Sequence, residues 1–121
     1  MESNTKKEGR TYRPLVYICS PFSSDPEGNS IRAREFCRFA LGKGQIPLAP
    51  HLMFPQFMSD AEPAERELAL FMDIILMGKC DELWVLGDTI SAGMSVEIEK
   101  AKKRRQKIRY FNSLFEEVES L

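Results

Sequence analysis

The chain has 121 residues, of which 43% are apolar and 29% charged, and it carries a net charge of −1. That balance excludes a disordered or membrane-spanning chain, and the length suits one domain able to bury a core without disulfides or a structural metal. Three widely spaced cysteines and a single histidine support neither a disulfide framework nor a zinc site, so free buried thiols and no metal or cofactor are expected.

Residues 1–13 are polar and lack periodicity, and they read as a disordered N-terminal tail ahead of a domain at 14–121. The tail has no apolar stretch suited to a signal peptide, and no run approaches the roughly 18 apolar residues that span a bilayer. A cytoplasmic protein without membrane contact is the expectation.

Leu15, Val16, Tyr17, Ile18 and Cys19 form a continuous apolar run between Pro14 and Pro21, the pattern of a strand buried on both faces. A loop rich in Ser, Asp, Pro and Gly follows over 21–29. Across 30–42 the apolar residues Ala33, Phe36, Cys37, Ala40 and Leu41 recur on one helical face, closed by Gly42. A short second strand is expected at 45–49, then an aromatic, proline-flanked loop over 50–58. The second helix, 60–79, is apolar on every side between Leu68 and Met77 except at Asp73, so it should be buried all round, by the sheet and by another subunit. A third strand at 82–86, a third helix at 91–105, a fourth strand at 108–111 and a short C-terminal helix complete the chain.

Strand and helix alternate at the spacing of β-α-β units, which predicts an α/β fold. The expectation is a three-layer, Rossmann-like (flavodoxin-like) parallel sheet of order 2-1-3-4, with right-handed crossovers and helices on both faces. Ligands of such sheets bind outside the carboxyl ends of the strands where the order reverses, here between the loops opening at Ser20 and Gly87. The basic cluster from Lys102 to Arg105 sits at a helix end, where cations complement the dipole, and no aromatics interleave with it. No nucleic acid polymer is expected as a partner.

Glu97 shares the inward stripe of the third helix with Met94, Ile98 and Ala101, and a buried carboxylate is costly. It either does chemistry or rests against the helix N-terminus or a lysine. Asp73, alone in its apolar run, is either a general acid with a raised pKa or a backbone-bonded structural aspartate. Tyr17 can reach a carboxylate over the sheet edge or belong simply to the core. Ser20 and Ser23 lie in a loop before a helix N-terminus, a plausible anion cradle, with neither a GxGxxG fingerprint nor a P-loop. His51 lines the same region or is a satisfied loop histidine. Cys19 reads as core.

Three segments together carry a resemblance: Tyr17-Ile18-Cys19-Ser20-Pro21, the lone Asp73 before Cys80-Asp81-Glu82-Leu83-Trp84-Val85, and Ser91-Ala92-Gly93-Met94-Ser95-Val96-Glu97-Ile98. Over about 15–111 the chain resembles the nucleoside 2-deoxyribosyltransferase superfamily, which includes the 2'-deoxynucleoside 5'-phosphate N-hydrolases. The resemblance implies Glu97 as nucleophile on the anomeric carbon, Asp73 as the group assisting base departure, and Tyr17 as the orienting phenol. It further implies a nucleoside or nucleotide ligand and a homo-oligomer. Where the transferases hold an aspartate near the sugar 5'-hydroxyl, this chain has Ser91, as the nucleotide hydrolases do, implying a 5'-phosphorylated ligand held by Ser91, Gly93, Met94 and Ser95 with Ser20 and Ser23. The implied activity is N-glycosidic cleavage or transfer; the alternatives are a nucleotide-binding or sensing module without turnover, and an oligomeric scaffold.

Overall fold

A computed structural model describes residues 11–120. Five strands form one sheet in the order β2-β1-β3-β4-β5, built from β1 (Leu15–Cys19), β2 (Ile46–Leu48), β3 (Glu82–Leu86), β4 (Lys107–Phe111) and β5 (Glu117–Val118). The first four strands are parallel, and β5 pairs antiparallel with β4. The fold is therefore α/β with an open, mostly parallel sheet, consistent with the Rossmann-like class. The expected order of four strands is present, with a fifth added at the edge.

Helix α1 (Pro26–Gly42) packs on one face. There Val16, Ile18, Phe36, Ala40, Trp84, Leu86 and Phe111 form a buried cluster. Helices α3 (Pro63–Gly78) and α4 (Ala92–Lys103) lie on the other, over Tyr17, Cys19, Leu83 and Val85. Strand alternation decides this division, because Val16 and Ile18 point one way while Tyr17 and Cys19 point the other. The apolar run of β1 is thus a strand covered on both faces, as its sequence predicts.

Several boundaries differ from the sequence expectation. Helix α1 starts at Pro26, four residues earlier than expected, because Asp25 is its N-cap, accepting from Gly28 N, and Pro26 fills the first turn. The 50–58 loop is instead a four-residue helix α2 (Pro50–Met53) and a 3-10 turn (Phe54–Gln56). The C-terminal helix is absent among the described residues. Asn112 Oδ1 accepts from Leu114 N and Glu116 N, and the turn so made folds the chain back as β5. The described chain alone does not bury α3 all round: Leu68, Phe71 and Ile75 are exposed.

Residues 1–10 of the expected tail lie outside the described residues. Tyr12 donates to Asp81 Oδ2, and Arg13 to Leu41 O. Among the described residues no helix is long and apolar enough to cross a membrane.

Candidate active site

The site is built where β1 meets α4. Tyr17 and Cys19 leave β1 on the face covered by α3 and α4. On α4, Met94, Glu97, Ile98 and Ala101 form the buried stripe that the sequence predicts. Ser91 fixes the start of that helix as its N-cap, accepting from Met94 N at 3.2 Å. Glu97 is therefore carried into the core by helical phase, and only 7% of its surface is exposed.

The Tyr17 hydroxyl donates to Glu97 Oε2 at 2.6 Å, a length typical of a charge-assisted O–H···O⁻ bond. Burial pushes the Glu97 carboxyl up to about 7, while hydrogen bonds from Tyr17 and Cys19 pull in the opposite sense. Burial, and then the charges of Glu97 and Asp73, drive the Tyr17 phenol far above its ordinary value. The phenol stays protonated and is a permanent donor.

Asp73 comes from α3, the helix packed beside α4. Burial, and then the nearby charge of Glu97, raise its carboxyl to about 7. Its Oδ1 is buried and has no hydrogen-bond partner among the described residues, a costly state for a carboxylate. Two carboxyls that feel one another and titrate in the same range share protons as a pair. Hydrogen bonding favours the ionised form of Glu97, whereas Asp73 Oδ1 has no donor among the described residues. The two environments thus differ in the sense that favours charge on Glu97 and a proton on Asp73.

The carboxyl ends of β1 and β3 lie side by side where the strand order reverses. Ser20, just after β1, shares a 2.7 Å hydrogen bond with His51 Nε2 at the start of α2. Burial lowers His51 to about 4, so its ring is neutral at physiological pH. Gly87, directly after β3, has φ of +120°, a conformation open in practice only to glycine. Ser91, Gly93 and Ser95 are exposed on the first turn of α4, while Met94 is buried. Ser23 donates to Asp60 Oδ2 at 2.9 Å. The structure thus joins Tyr17, Glu97 and Asp73 in one interior group and Ser20 with His51 in another at the strand ends, and it ties Ser23 to a separate loop. Cys19, read from sequence as core, lies against the turn of α4 that precedes Glu97, its Sγ 4.0 Å from Met94 O; its place two residues after Tyr17 on one strand face was the available signal.

Two surface hollows of about 550 and 390 Å³ lie elsewhere, along β4 and β5, and share Arg109 and Glu117 in their linings. Their central charges satisfy each other: Arg109 pairs with Glu117 at 2.7 and 2.9 Å while lying over the Trp84 ring. The carboxyls without a countercharge lie elsewhere, at Glu97 and Asp73, where Asp73 Oδ1 is buried without a hydrogen-bond partner among the described residues. Among the described residues no group of three or more His, Cys, Asp or Glu is arranged to hold a metal ion.

A family model described as a domain of unknown function, DUF7768, matches residues 14–111. The chain belongs to the DUF7768 family. That match takes in every strand of the parallel part of the sheet and all of the carboxyl group's surroundings, so Tyr17, Asp73 and Glu97 are part of the DUF7768 domain itself. No curated protein matches the chain.

Proposed function

We propose that this DUF7768 domain cleaves or transfers at the N-glycosidic bond of a (deoxy)nucleoside or its 5'-monophosphate, with Glu97 as nucleophile. The observation that carries the reading is the 2.6 Å Tyr17–Glu97 hydrogen bond near the Asp73 carboxyl, whose buried Oδ1 has no hydrogen-bond partner among the described residues. Glycosyl transfer with an enzyme-bound intermediate requires two carboxyls in opposite protonation states.

In the first step a Glu97 oxygen bonds to C1' while the C1'–N bond breaks, and the bond's electron pair leaves with the base. Asp73 gives its proton to that base. In the second step water attacks C1', Asp73 takes the water's proton, and Glu97 departs as carboxylate; a second base in place of water gives transfer. Tyr17 holds the attacking carboxylate in one rotamer throughout. The first turn of α4, at Gly93 and Ser95 with Ser91 as cap, supplies amides and hydroxyls for a 5'-phosphate, and Ser20 with His51 offers a neutral polar wall.

The exposed stripe Leu68, Phe71 and Ile75 of α3 supports a homo-oligomer in which that face is covered. Three free cysteines accord with a cytoplasmic setting. A panel of deoxynucleosides and their 5'-monophosphates, assayed for released base with wild type and Glu97→Ala, tests the reading. Release by wild type alone is expected. Ligand-induced thermal stabilisation without release, unchanged in Glu97→Ala, instead indicates a binding or sensing module.

A further inference from the structure

Cys19 is 1% exposed and stands on the same face of β1 as Tyr17, two residues on. Its Sγ lies 4.0 Å from the main-chain oxygen of Met94, one helical turn before Glu97; a helical side chain leans back over the turn before its own, so the Glu97 carboxyl held by Tyr17 lies beside this thiol, which pulls the carboxyl's pKa down. A thiol has one proton to give. The Met94 carbonyl sits within α4, where it serves the helix's own hydrogen-bond ladder, and the sulfur contact to it is long. An ionised carboxylate is the stronger acceptor of the two.

We propose that Cys19 is a positioning residue for Glu97: its thiol proton turns from the Met94 carbonyl to the Glu97 carboxylate when that carboxyl ionises. Glu97 then receives donors from two alternate residues of one strand, Tyr17 and Cys19, and the second is engaged only in the charged form. The consequence for catalysis rests on the reading of Glu97 as nucleophile. The thiol itself is no nucleophile, because burial and the adjacent Glu97 charge hold it well above its ordinary pKa. A packing role alone would be met by any small apolar side chain, whereas this role needs a donor.

Among the described residues, the titratable groups facing Glu97 are Tyr17 and Cys19 from β1 and Asp73 from α3; β3 contributes Leu83 and Val85 to the same cluster, which do not titrate. The test reads Glu97 directly, by carbon NMR of side-chain carboxyls in the full chain labelled at glutamate, titrated for wild type, Cys19→Ala and Cys19→Ser. A donor to the charged form lowers a carboxyl's midpoint, so its loss in Cys19→Ala raises the Glu97 midpoint by about half a pH unit, about threefold less ionised below it. In Cys19→Ser, whose hydroxyl is the better donor, the midpoint stays at or below that of wild type. Unmoved midpoints, or an equal rise in both variants, overturn the proposal. If Cys19→Ala does not fold, a Cys19→Ser midpoint above wild type overturns it and one at or below supports it. No substrate enters this titration, so absence of turnover rejects the glycosidic reading alone, and unmoved midpoints reject Cys19 alone.

Discussion

Replacing Glu97 by glutamine should make the protein more stable at alkaline pH. The carboxyl is raised to about 7 in the fold from an ordinary 4.5. The folded state therefore binds this proton more tightly than the unfolded chain does. The group's stabilising contribution is complete below pH 4.5 and is lost as pH rises through 7. A gap of about 2.5 pH units, at about 1.4 kcal/mol each, makes ionised Glu97 a burden of about 3 kcal/mol at pH 8. Glutamine does not titrate, and its Oε1 can still accept the Tyr17 hydroxyl. Urea unfolding of wild type and Glu97→Gln at pH 4.5, 6 and 8 should show a difference that opens with pH to about 3 kcal/mol, or about 10 °C in Tm, in favour of the variant. Comparing the two proteins at each pH cancels the titrating groups that do not feel Glu97; Asp73, relieved of the Glu97 charge, titrates lower in the variant, which adds to its advantage at pH 8. A variant less stable than wild type at pH 8, or a difference that does not change with pH, refutes the buried-charge account of Glu97.

His51 acts in the opposite direction. Its folded pKa of about 4 lies below the ordinary 6.5, so wild type loses stability as pH falls from 6.5 to 4, and His51→Gln should flatten that limb of the urea-unfolding profile. The exposed stripe on α3 predicts that the Leu68→Lys, Phe71→Lys double variant sediments as single chains while wild type sediments as an oligomer; identical sedimentation of the two rules this face out as the contact.

Much of the fold follows from local pattern. An unbroken apolar run between prolines makes β1 a doubly covered strand, and helical phase alone puts Glu97 beside Met94, Ile98 and Ala101 inside the core. The start of α1 was also legible in principle, since Asp25 followed by Pro26 is a cap and first-turn pair; the turn-rich composition of 21–29 masks it. Other features depend on residues far apart in sequence. Ser23 has the look of an anion-loop serine, yet its partner is Asp60, 37 positions away. The hairpin to β5 turns on one side chain, Asn112, bonding two amides ahead of it, a local contact stronger than the weak helical pattern of the last ten residues. The apolar sides of α3 show that it has more than one face to cover, whereas the sheet of one chain covers only one of them. The pairing of Tyr17 with Glu97 spans 80 positions, and it entered through resemblance rather than periodicity.

The central claim is that Glu97 attacks a sugar's anomeric carbon with Asp73 as proton donor. Mass spectrometry of the protein after incubation with 2'-fluorinated deoxynucleosides and their 5'-monophosphates, whose slow second step traps a glycosyl-enzyme, tests it directly. The account predicts a glycosyl adduct on the peptide containing Glu97, absent in Glu97→Ala and slower to form in Tyr17→Phe and Asp73→Asn. An adduct on another residue, or none with any member of the panel while wild type and Glu97→Ala bind those ligands equally, contradicts it.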